Sequence, residues 1–280
     1  MSPGENSTLP EAPSSAELAA LAVQIKLESL AMVSIQGFGY LGQALSAGET
    51  FAVLFGEEID HGRDRFVLSP GHYAVVYYAA AAAMGLLDRH QLAGYGRDGA
   101  LLEAISTERT PGVDLTCGSL GQGLSGAIGY ALAARLADDG RRAFAFLSDG
   151  ELEEGQVWEA AMFAGHHRLG DLVVALDANG SQVDGPITDV TTIEPIAAKW
   201  EAFGWHVEEV DGHDIGALRR AFAAARDDDR PSVVVARTDI LGRLRSIPAT
   251  ADGHFLKLDD ELEAAIRAEL EGIGRTASHA

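Results

Sequence analysis

The sequence predicts an α/β fold in which a parallel β-sheet is covered by helices on both faces. Its second half alternates short apolar segments with stretches of helical periodicity. Strands that are apolar throughout, separated by helices of about ten residues, are typical of such a sheet. The expected strands are AFAFL from residue 143, LVVALD from 172, WHVEEV from 205 and SVVVAR from 232, and the expected helices span 155–168, 194–203 and 214–227.

The first half is predicted to be mainly helical. Ser14 or Ser15 can cap a first helix, glycines at 37, 39 and 42 end it, and a second helix is expected over 44–54. The Ala-rich apolar run from Tyr73 to Leu87 has 15 residues, too few to span a membrane, and predicts a buried helix. CGSLGQG then opens a further helix. We expect one domain over 16–272, with a disordered tail at 1–15 and a fraying tail at 273–280.

Composition excludes several classes of function. The 280 residues carry 42 acidic and 21 basic side chains, a net charge of −21, with no Lys/Arg cluster that could follow a phosphate backbone, so a nucleic-acid partner is not expected. The first residues do not resemble a signal peptide, and the single Cys117 excludes an internal disulfide. These features predict a cytoplasmic protein without a membrane partner.

Polar side chains follow two of the predicted strands. Asp149 comes after the first, and Asn179 lies just beyond the second, so both belong to the sheet edge at which parallel α/β proteins bind ligands. With a backbone carbonyl near Ser181, they offer the few oxygen ligands that Mg²⁺ takes when phosphate oxygens and water complete its octahedron. Asp149 and Asn179 are each followed by glycine, and an Asp-Gly or Asn-Gly dipeptide that occurs alone is more often a simple turn former. The segment from 177 lacks the glycine and glutamate of a calcium loop, and no phosphate loop, His-Glu-x-x-His or Gly-x-Ser-x-Gly motif is present.

Three segments carry a resemblance to a known family: LSPGH, TPGVDLTCGSLGQGLSGAIGYALAARL, and SDGELEEGQVWEAAMFAGHHRLGDLVVALDANGSQVDGP. Together they resemble the thiamine-diphosphate-binding half of transketolases, in particular the amino-terminal subunit of split transketolases, over residues of about 16 to 240. The resemblance implies the thiamine-diphosphate-binding fold, thiamine diphosphate as cofactor, and Mg²⁺, or Ca²⁺ or Mn²⁺, as the metal. One small departure is Ser148, where family members have glycine.

The resemblance also implies roles for individual residues. The metal ligands fall on Asp149, Asn179 and the Ser181 carbonyl, and Gly150 allows close approach of the diphosphate. Catalytic roles fall on His72, which faces the diphosphate and the reacting ring, on Glu154 and on His254. The turn that holds the cofactor bent falls on Gly118, Ser119 and Leu120, with Leu120 as the wedge between the rings. Glu154 and Glu159 match carboxylates at a dimer interface.

The family places the glutamate that activates the cofactor on a second, pyrimidine-binding domain, which this chain is too short to contain. The resemblance therefore implies a partner subunit that carries that domain, in an assembly of two copies of each chain (α2β2). The expected reaction is transfer of a two-carbon ketol unit from a small-molecule ketose donor to an aldehyde acceptor.

Two departures from the family concern the substrate. The first Gly-His-Pro of transketolases corresponds to QGFGYLGQALS, with Phe38 assigned to the place of the histidine, and the second Gly-His-Pro has no counterpart before PGV. Loss of groups that form hydrogen bonds with sugar hydroxyls disfavours the binding of ordinary sugar phosphates as substrates. Two alternatives therefore stay open: delivery of the two-carbon unit to a lipoyl or carrier-protein thiol, or from a 2-oxo acid, in specialised metabolism, and a non-catalytic scaffold subunit.

Overall fold

The computed structural model describes residues 12–112, 115 and 117–277. Its helices are α1 (Ser15–Ser34), α2 (Leu41–Val53), α3 (Ala74–Ala83), α4 (Gly123–Ala137), α5 (Gly155–His166), α6 (Ile187–Val190), α7 (Ile196–Ala202), α8 (Ile215–Asp227) and α9 (Asp260–Ala277). Its strands are β1 (Phe38–Gly39), β2 (Arg65–Leu68), β3 (Ala143–Ser148), β4 (Leu172–Ala178), β5 (Ser181–Gln182), β6 (Gly185–Pro186), β7 (His206–Asp211), β8 (Ser232–Arg237) and β9 (Leu256–Lys257).

The central sheet has five parallel strands in the order β2-β3-β4-β8-β7. The four strands predicted from the sequence are all present, with ends that differ by no more than one residue. Strand β2 was not predicted, because its four residues, RFVL, run directly into Ser-Pro and carry no alternation of their own. Two-stranded antiparallel pairs, β1 with β9 and β5 with β6, lie outside this sheet.

Helices cover both faces of the sheet, as the sequence predicts. On one face, α1, α2, α3, α8 and α9 form a core with Phe144 and Phe146 of β3. On the other face, α4, α5 and α7 pack against Ala145 and Leu147 of the same strand. Successive side chains of a strand point to opposite faces, so a strand buried on both sides must be apolar throughout. Parallel strands then deliver their carboxyl ends to one edge.

The start of the first helix agrees with the sequence prediction, whereas the end of the last helix does not. Ser14 caps α1 in a capping box: its hydroxyl accepts from the Glu17 N–H at 3.2 Å, and its own N–H donates to the Glu17 carboxylate at 2.7 Å. Residues 1–11 and 278–280 of the predicted tails lie outside the described residues. Residues 273–277, assigned to a tail from the sequence, are instead helical, because α9 packs Ile266 and Leu270 into the core.

Residues Ala74–Ala83 of the Ala-rich run form α3, and every residue from Ala74 to Ala82 is buried in the protein. The helix therefore ends four residues before Leu87, the last residue of the run. Small side chains allow this helix to pack closely against α1 and α2. Among the described helices, none combines the length and the apolar character required to cross a bilayer.

Candidate functional site

Asp149 lies at the carboxyl edge of the sheet, directly after β3. Its N–H donates to the Asp177 carbonyl of β4 at 3.0 Å, which joins the two strand ends. Its carboxylate accepts from the N–H of Gly180 at 2.6 Å and from the N–H of Gly150 at 2.9 Å. Gly180 has φ of +75°, a left-handed conformation that favours glycine. The two turns after β3 and β4 are thus connected by one carboxylate.

The Asp149 carboxylate is electrostatically unfavourable as it stands. It is only 2% exposed, and burial, together with the nearby Asp177, raises its pKa to about 8 despite the two N–H donors. No lysine, arginine or histidine within the described ranges forms an ion pair with it. A buried carboxylate without a basic partner is costly unless it is protonated or binds a cation. A divalent cation at this edge would remove that cost.

Asp177, which the sequence analysis did not select, organises the residues around Asp149. It is 1% exposed and accepts hydrogen bonds from Ser46 at 2.6 Å, from Tyr73 at 2.7 Å and from Thr238. The Asn179 amide NH₂ donates to the same carboxylate at 2.9 Å, which fixes the amide with its oxygen on the other side. A charged residue ending an otherwise apolar strand is the sequence signal that could have identified it.

The three predicted metal ligands have oxygens available for a cation. The Asn179 side-chain oxygen accepts from the Ser181 N–H at 2.9 Å and keeps a second lone pair. Pro186, opposite Ser181 in the β5–β6 hairpin, has no N–H to donate to the Ser181 carbonyl. Carboxylate, amide and carbonyl oxygens fit Mg²⁺ or Ca²⁺. Within the described ranges no cluster of three or more His, Cys, Asp or Glu side chains offers a separate metal site.

A cavity of about 380 Å³ lies beside this edge. Seven of the residues predicted for the site line it: His72, Gly118, Leu120, Gly150, Glu154, Ser181 and His254. Asp149 and Asn179 instead line a neighbouring cavity of about 340 Å³, and Ser119 lines neither. A Cβ added to Gly118 would meet nothing within 4 Å, whereas one at Gly150 would meet Gln182 at 3.2 Å. The cavity is large enough for part of an organic cofactor, and both glycines keep its wall open.

Two histidines of the cavity lining, His72 and His254, lie next to each other. Their ring centroids are 5.1 Å apart. Burial, with a smaller contribution from His254, lowers the pKa of His72 to about 3, and burial also lowers the pKa of His254. Gln43 holds His254 through contacts of 3.2 Å to Nδ1 and to the backbone carbonyl. Both imidazoles are therefore neutral near pH 7 and can donate or accept at a ring nitrogen.

Tyr40, rather than Phe38, is the aromatic residue of QGFGYLGQALS that faces the cavity. The Tyr40 ring lies 5.5 Å from the ring of His72 and 5.9 Å from that of His254. Phe38 is not part of the lining and lies further out, 48% exposed. Phe38 lies on β1, whereas Tyr40 is the residue that precedes α2, so the alternation of the strand does not extend to Tyr40. The turn from β1 into α2, in which Gly39 has φ of +153°, places the Tyr40 ring beside the cavity.

Glu151 connects the glycine-rich turn to the loop that carries His72, and it too was missed from the sequence. It is fully buried and accepts from the Gly121 N–H at 2.7 Å and from the Ser69 hydroxyl, which also accepts from the Gly123 N–H at 3.1 Å. Its other oxygen has no hydrogen-bond partner in the described part of the chain. Burial raises the pKa of Glu151 to about 7. Within an acidic run, SDGELEE, nothing in the sequence marks this residue as the buried one.

The two predicted interface carboxylates lie on the outer side of α5. Glu154, at the start of the helix, is exposed and reaches the cavity, whereas Glu159 is exposed on the following turn, away from it. Only Glu154 is therefore placed beside the cavity by this chain alone.

Fold and site together define an α/β protein with a cofactor-sized cavity at the carboxyl edge of a parallel sheet. The family model for the thiamine diphosphate binding domain of transketolase matches residues 18–271. The chain therefore belongs to the transketolase family, whose members are transferases, and has the family's thiamine-diphosphate-binding fold.

Similar proteins include chains of about this length and a longer enzyme. A transketolase family protein of Sinorhizobium fredii is 38% identical over an alignment of 284 positions, which covers 96% of this chain and 98% of that protein. The 6-deoxy-6-sulfo-D-fructose transketolase subunit of a Clostridium species is 40% identical over 249 residues, covering 85% of this chain and 90% of that subunit. The solved transketolase of Campylobacter jejuni has the same fold, with a TM-score of 0.81 at 21% identity, over 94% of this chain and 46% of that one. This chain thus spans about half the length of that transketolase.

Proposed function

We propose that this chain is the diphosphate-binding subunit of a two-subunit transketolase, which transfers a two-carbon ketol unit from a ketose donor to an aldehyde acceptor. The observation that carries the proposal is the buried Asp149 carboxylate, beside Asn179 and Ser181 and without a basic partner among the described residues. In the overall exchange the donor gives up its HOCH₂–CO unit and leaves as an aldehyde two carbons shorter. The acceptor gains that unit, so one carbon–carbon bond breaks, one forms, and nothing is oxidised.

The proposed metal is Mg²⁺, with Ca²⁺ or Mn²⁺ able to use the same oxygens of Asp149, Asn179 and the Ser181 carbonyl. Gly150 leaves room for a diphosphate beside the metal. Gly118, Ser119 and Leu120 form the turn against which the organic part of the cofactor would bend. Thiamine diphosphate, when bound, supplies the carbanion chemistry that carbon–carbon cleavage requires.

Three of the chain's own ionisable groups border the cavity and can take part in proton transfer. His72 and His254 are neutral imidazoles in the cavity, so the unprotonated ring nitrogen of either can accept the proton as a substrate hydroxyl ionises. Glu154 borders the same cavity from the start of α5 and is the carboxylate best placed to face a partner subunit. These are the three residues for which we propose catalytic roles.

The proposed partner is a subunit with a pyrimidine-binding domain that supplies the activating glutamate, in an α2β2 heterotetramer. Two findings support it: the Clostridium relative is named as a subunit, and this chain corresponds to 46% of a transketolase of known structure. We place the assembly in the cytoplasm, where a single free cysteine such as Cys117 is expected. A scaffold role would leave the cost of burying Asp149 without a purpose, and no observation favours a carrier-protein thiol over an aldehyde acceptor.

The test is calorimetric titration of the co-purified subunit pair with thiamine diphosphate, with and without Mg²⁺. The native pair should bind in a Mg²⁺-dependent manner, and Asp149→Ala should weaken binding by at least roughly 10-fold, since even outer residues of metal sites reach that size. Asp189→Ala, an exposed aspartate on α6, is the matched control and should bind like the native pair. Absence of binding to a well-assembled native pair would refute the proposal.

A further inference from the structure

Three aromatic side chains continue the cavity wall outward to the protein surface. Tyr40 lines the cavity, and the Phe255 ring lies edge-on to the Tyr40 ring with centroids 5.4 Å apart. Phe38 packs on Phe255 with ring centroids 5.3 Å apart. We call these three residues the aromatic wall. Phe38 is 48% exposed, so the wall runs without interruption from beside His72 and His254 to the solvent.

The aromatic wall is held by two distant parts of the chain. Phe38 lies on β1, and Phe255 directly precedes β9, the strand that pairs with β1. Gly42, at the start of α2, packs so closely on the segment that carries Phe255 that an added Cβ would stand 1.9 Å from the Gly253 carbonyl oxygen. Because these segments are fixed to each other, the rings form a preorganised surface rather than a flexible one.

Among the described residues, this chain's side of the cavity offers no positive charge to a phosphate group. The described residues that line the cavity include no lysine or arginine, whereas Glu153 and Glu154 are acidic. Within the described part of the chain, the Tyr40 hydroxyl has no hydrogen-bond partner and is the one polar group on the aromatic wall. A wall of this kind favours a planar apolar group and offers one hydrogen bond to orient it.

We propose that the aromatic wall sets substrate specificity by binding the part of the acceptor aldehyde remote from its carbonyl, and that this part is aromatic rather than a phosphorylated polyol. This inference rests on the proposed ketol transfer. The Tyr40 hydroxyl donates to an oxygen of the bound acceptor, while Phe255 and Phe38 cover its ring. The acceptor class is therefore an aromatic aldehyde.

The experiment measures kcat/KM of the assembled subunit pair for benzaldehyde and for D-glyceraldehyde 3-phosphate, with hydroxypyruvate as the donor. The donor's carboxyl carbon leaves as CO₂, the electron pair stays with the two-carbon unit, a bond forms to the acceptor's carbonyl carbon, and its oxygen takes a proton. We expect the native pair to favour benzaldehyde. Phe38→Ala should lower the ratio of kcat/KM for benzaldehyde to kcat/KM for D-glyceraldehyde 3-phosphate by roughly 3- to 10-fold, which is the effect of one lost aromatic contact. The change should appear mainly in the KM for benzaldehyde.

Two further variants distinguish the effect of the Phe38 ring on this ratio from the effect of side-chain size and from that of removing any exposed apolar side chain. Phe38→Leu keeps an apolar side chain without the ring and should give a smaller change in the same direction. Leu136→Ala removes an apolar side chain that is 89% exposed on α4 and should leave the ratio unchanged. A native preference for D-glyceraldehyde 3-phosphate, with no change of the ratio in Phe38→Ala, would overturn the inference while ketol transfer stands.

Two other outcomes would also overturn it and are distinguishable. If Phe38→Ala weakens association of the two subunits and leaves the ratio unchanged, the aromatic wall is a contact with the partner. If the pair binds thiamine diphosphate yet transfers to neither acceptor and does not cleave the donor, the proposed ketol transfer itself fails.

Discussion

Replacement of His72 by glutamine should make the chain less sensitive to acid. In the folded protein, burial and the nearby His254 hold the pKa of His72 at about 3, whereas the ordinary value is 6.5. Above pH 6.5 the imidazole is neutral in both the folded and the unfolded state, and its full contribution to stability is present. As the pH falls below 6.5, the unfolded chain gains a proton that folded His72 does not accept, so that stability is lost progressively down to about pH 3.

The size of the effect follows from these two pKa values. Between pH 8 and pH 5 the difference in proton binding at this one imidazole lowers the free energy of unfolding by about 2 kcal/mol. By pH 3, where folded His72 is itself half protonated, the loss is about 4 kcal/mol. His254 and the carboxylates remain in the variant, so their contributions cancel in the comparison.

Urea unfolding of the full chain at pH 8 and pH 5 measures this difference. The parent should lose about 2 kcal/mol more than His72→Gln over that interval. His167→Gln removes a histidine from the exposed end of α5 and should lose as much as the parent. Equal losses for the parent and His72→Gln would refute the claim that the fold keeps His72 neutral.

Three further predictions concern the turn above the cavity and the metal. Glu151→Leu deletes the acceptor shared by Ser69 and Gly121 and should lower the free energy of unfolding by about 2–3 kcal/mol in urea, while Glu151→Gln, which keeps an acceptor oxygen, should cost less. Gly123→Ala would place a Cβ 2.4 Å from Ser69 and should cost about 1–3 kcal/mol, whereas Gly129→Ala on the same helix meets nothing within 4 Å and should be neutral or stabilising. Chelation of divalent cations from the assembled pair should abolish the rise in Tm caused by thiamine diphosphate, and re-addition of Mg²⁺ should restore it.

Much of the fold could be predicted because its signals are local. Apolar runs such as AFAFL and SVVVAR require burial on both faces, and a capping box at Ser14 starts a helix whatever lies around it. β2 escaped prediction because four residues carry too little pattern to be distinguished from a loop. The helix at 273–277 escaped it because its stability comes from the packing of α9 on the core rather than from its own composition.

The candidate site was predictable where residues follow strands and not where side chains meet across the fold. Asp149 and Asn179 could be assigned to one edge from strand order alone. Asp177 and Glu151 could not, because their importance lies in burial and in hydrogen bonds to Ser46, Tyr73, Ser69 and Gly121 from distant parts of the chain.

The sequence by itself determined the α/β class, the family and the residues that follow β3 and β4, because these depend on periodicity and on motifs that are contiguous in the chain. Only the tertiary structure decided that Tyr40 rather than Phe38 faces the cavity, and that His72 is neutral there. Which aromatic residue faces the cavity depends on where His72 and His254 lie relative to the turn from β1 into α2, and a pKa depends on burial and neighbouring groups. Both are properties of atoms brought together from distant positions, which no single segment of the chain encodes.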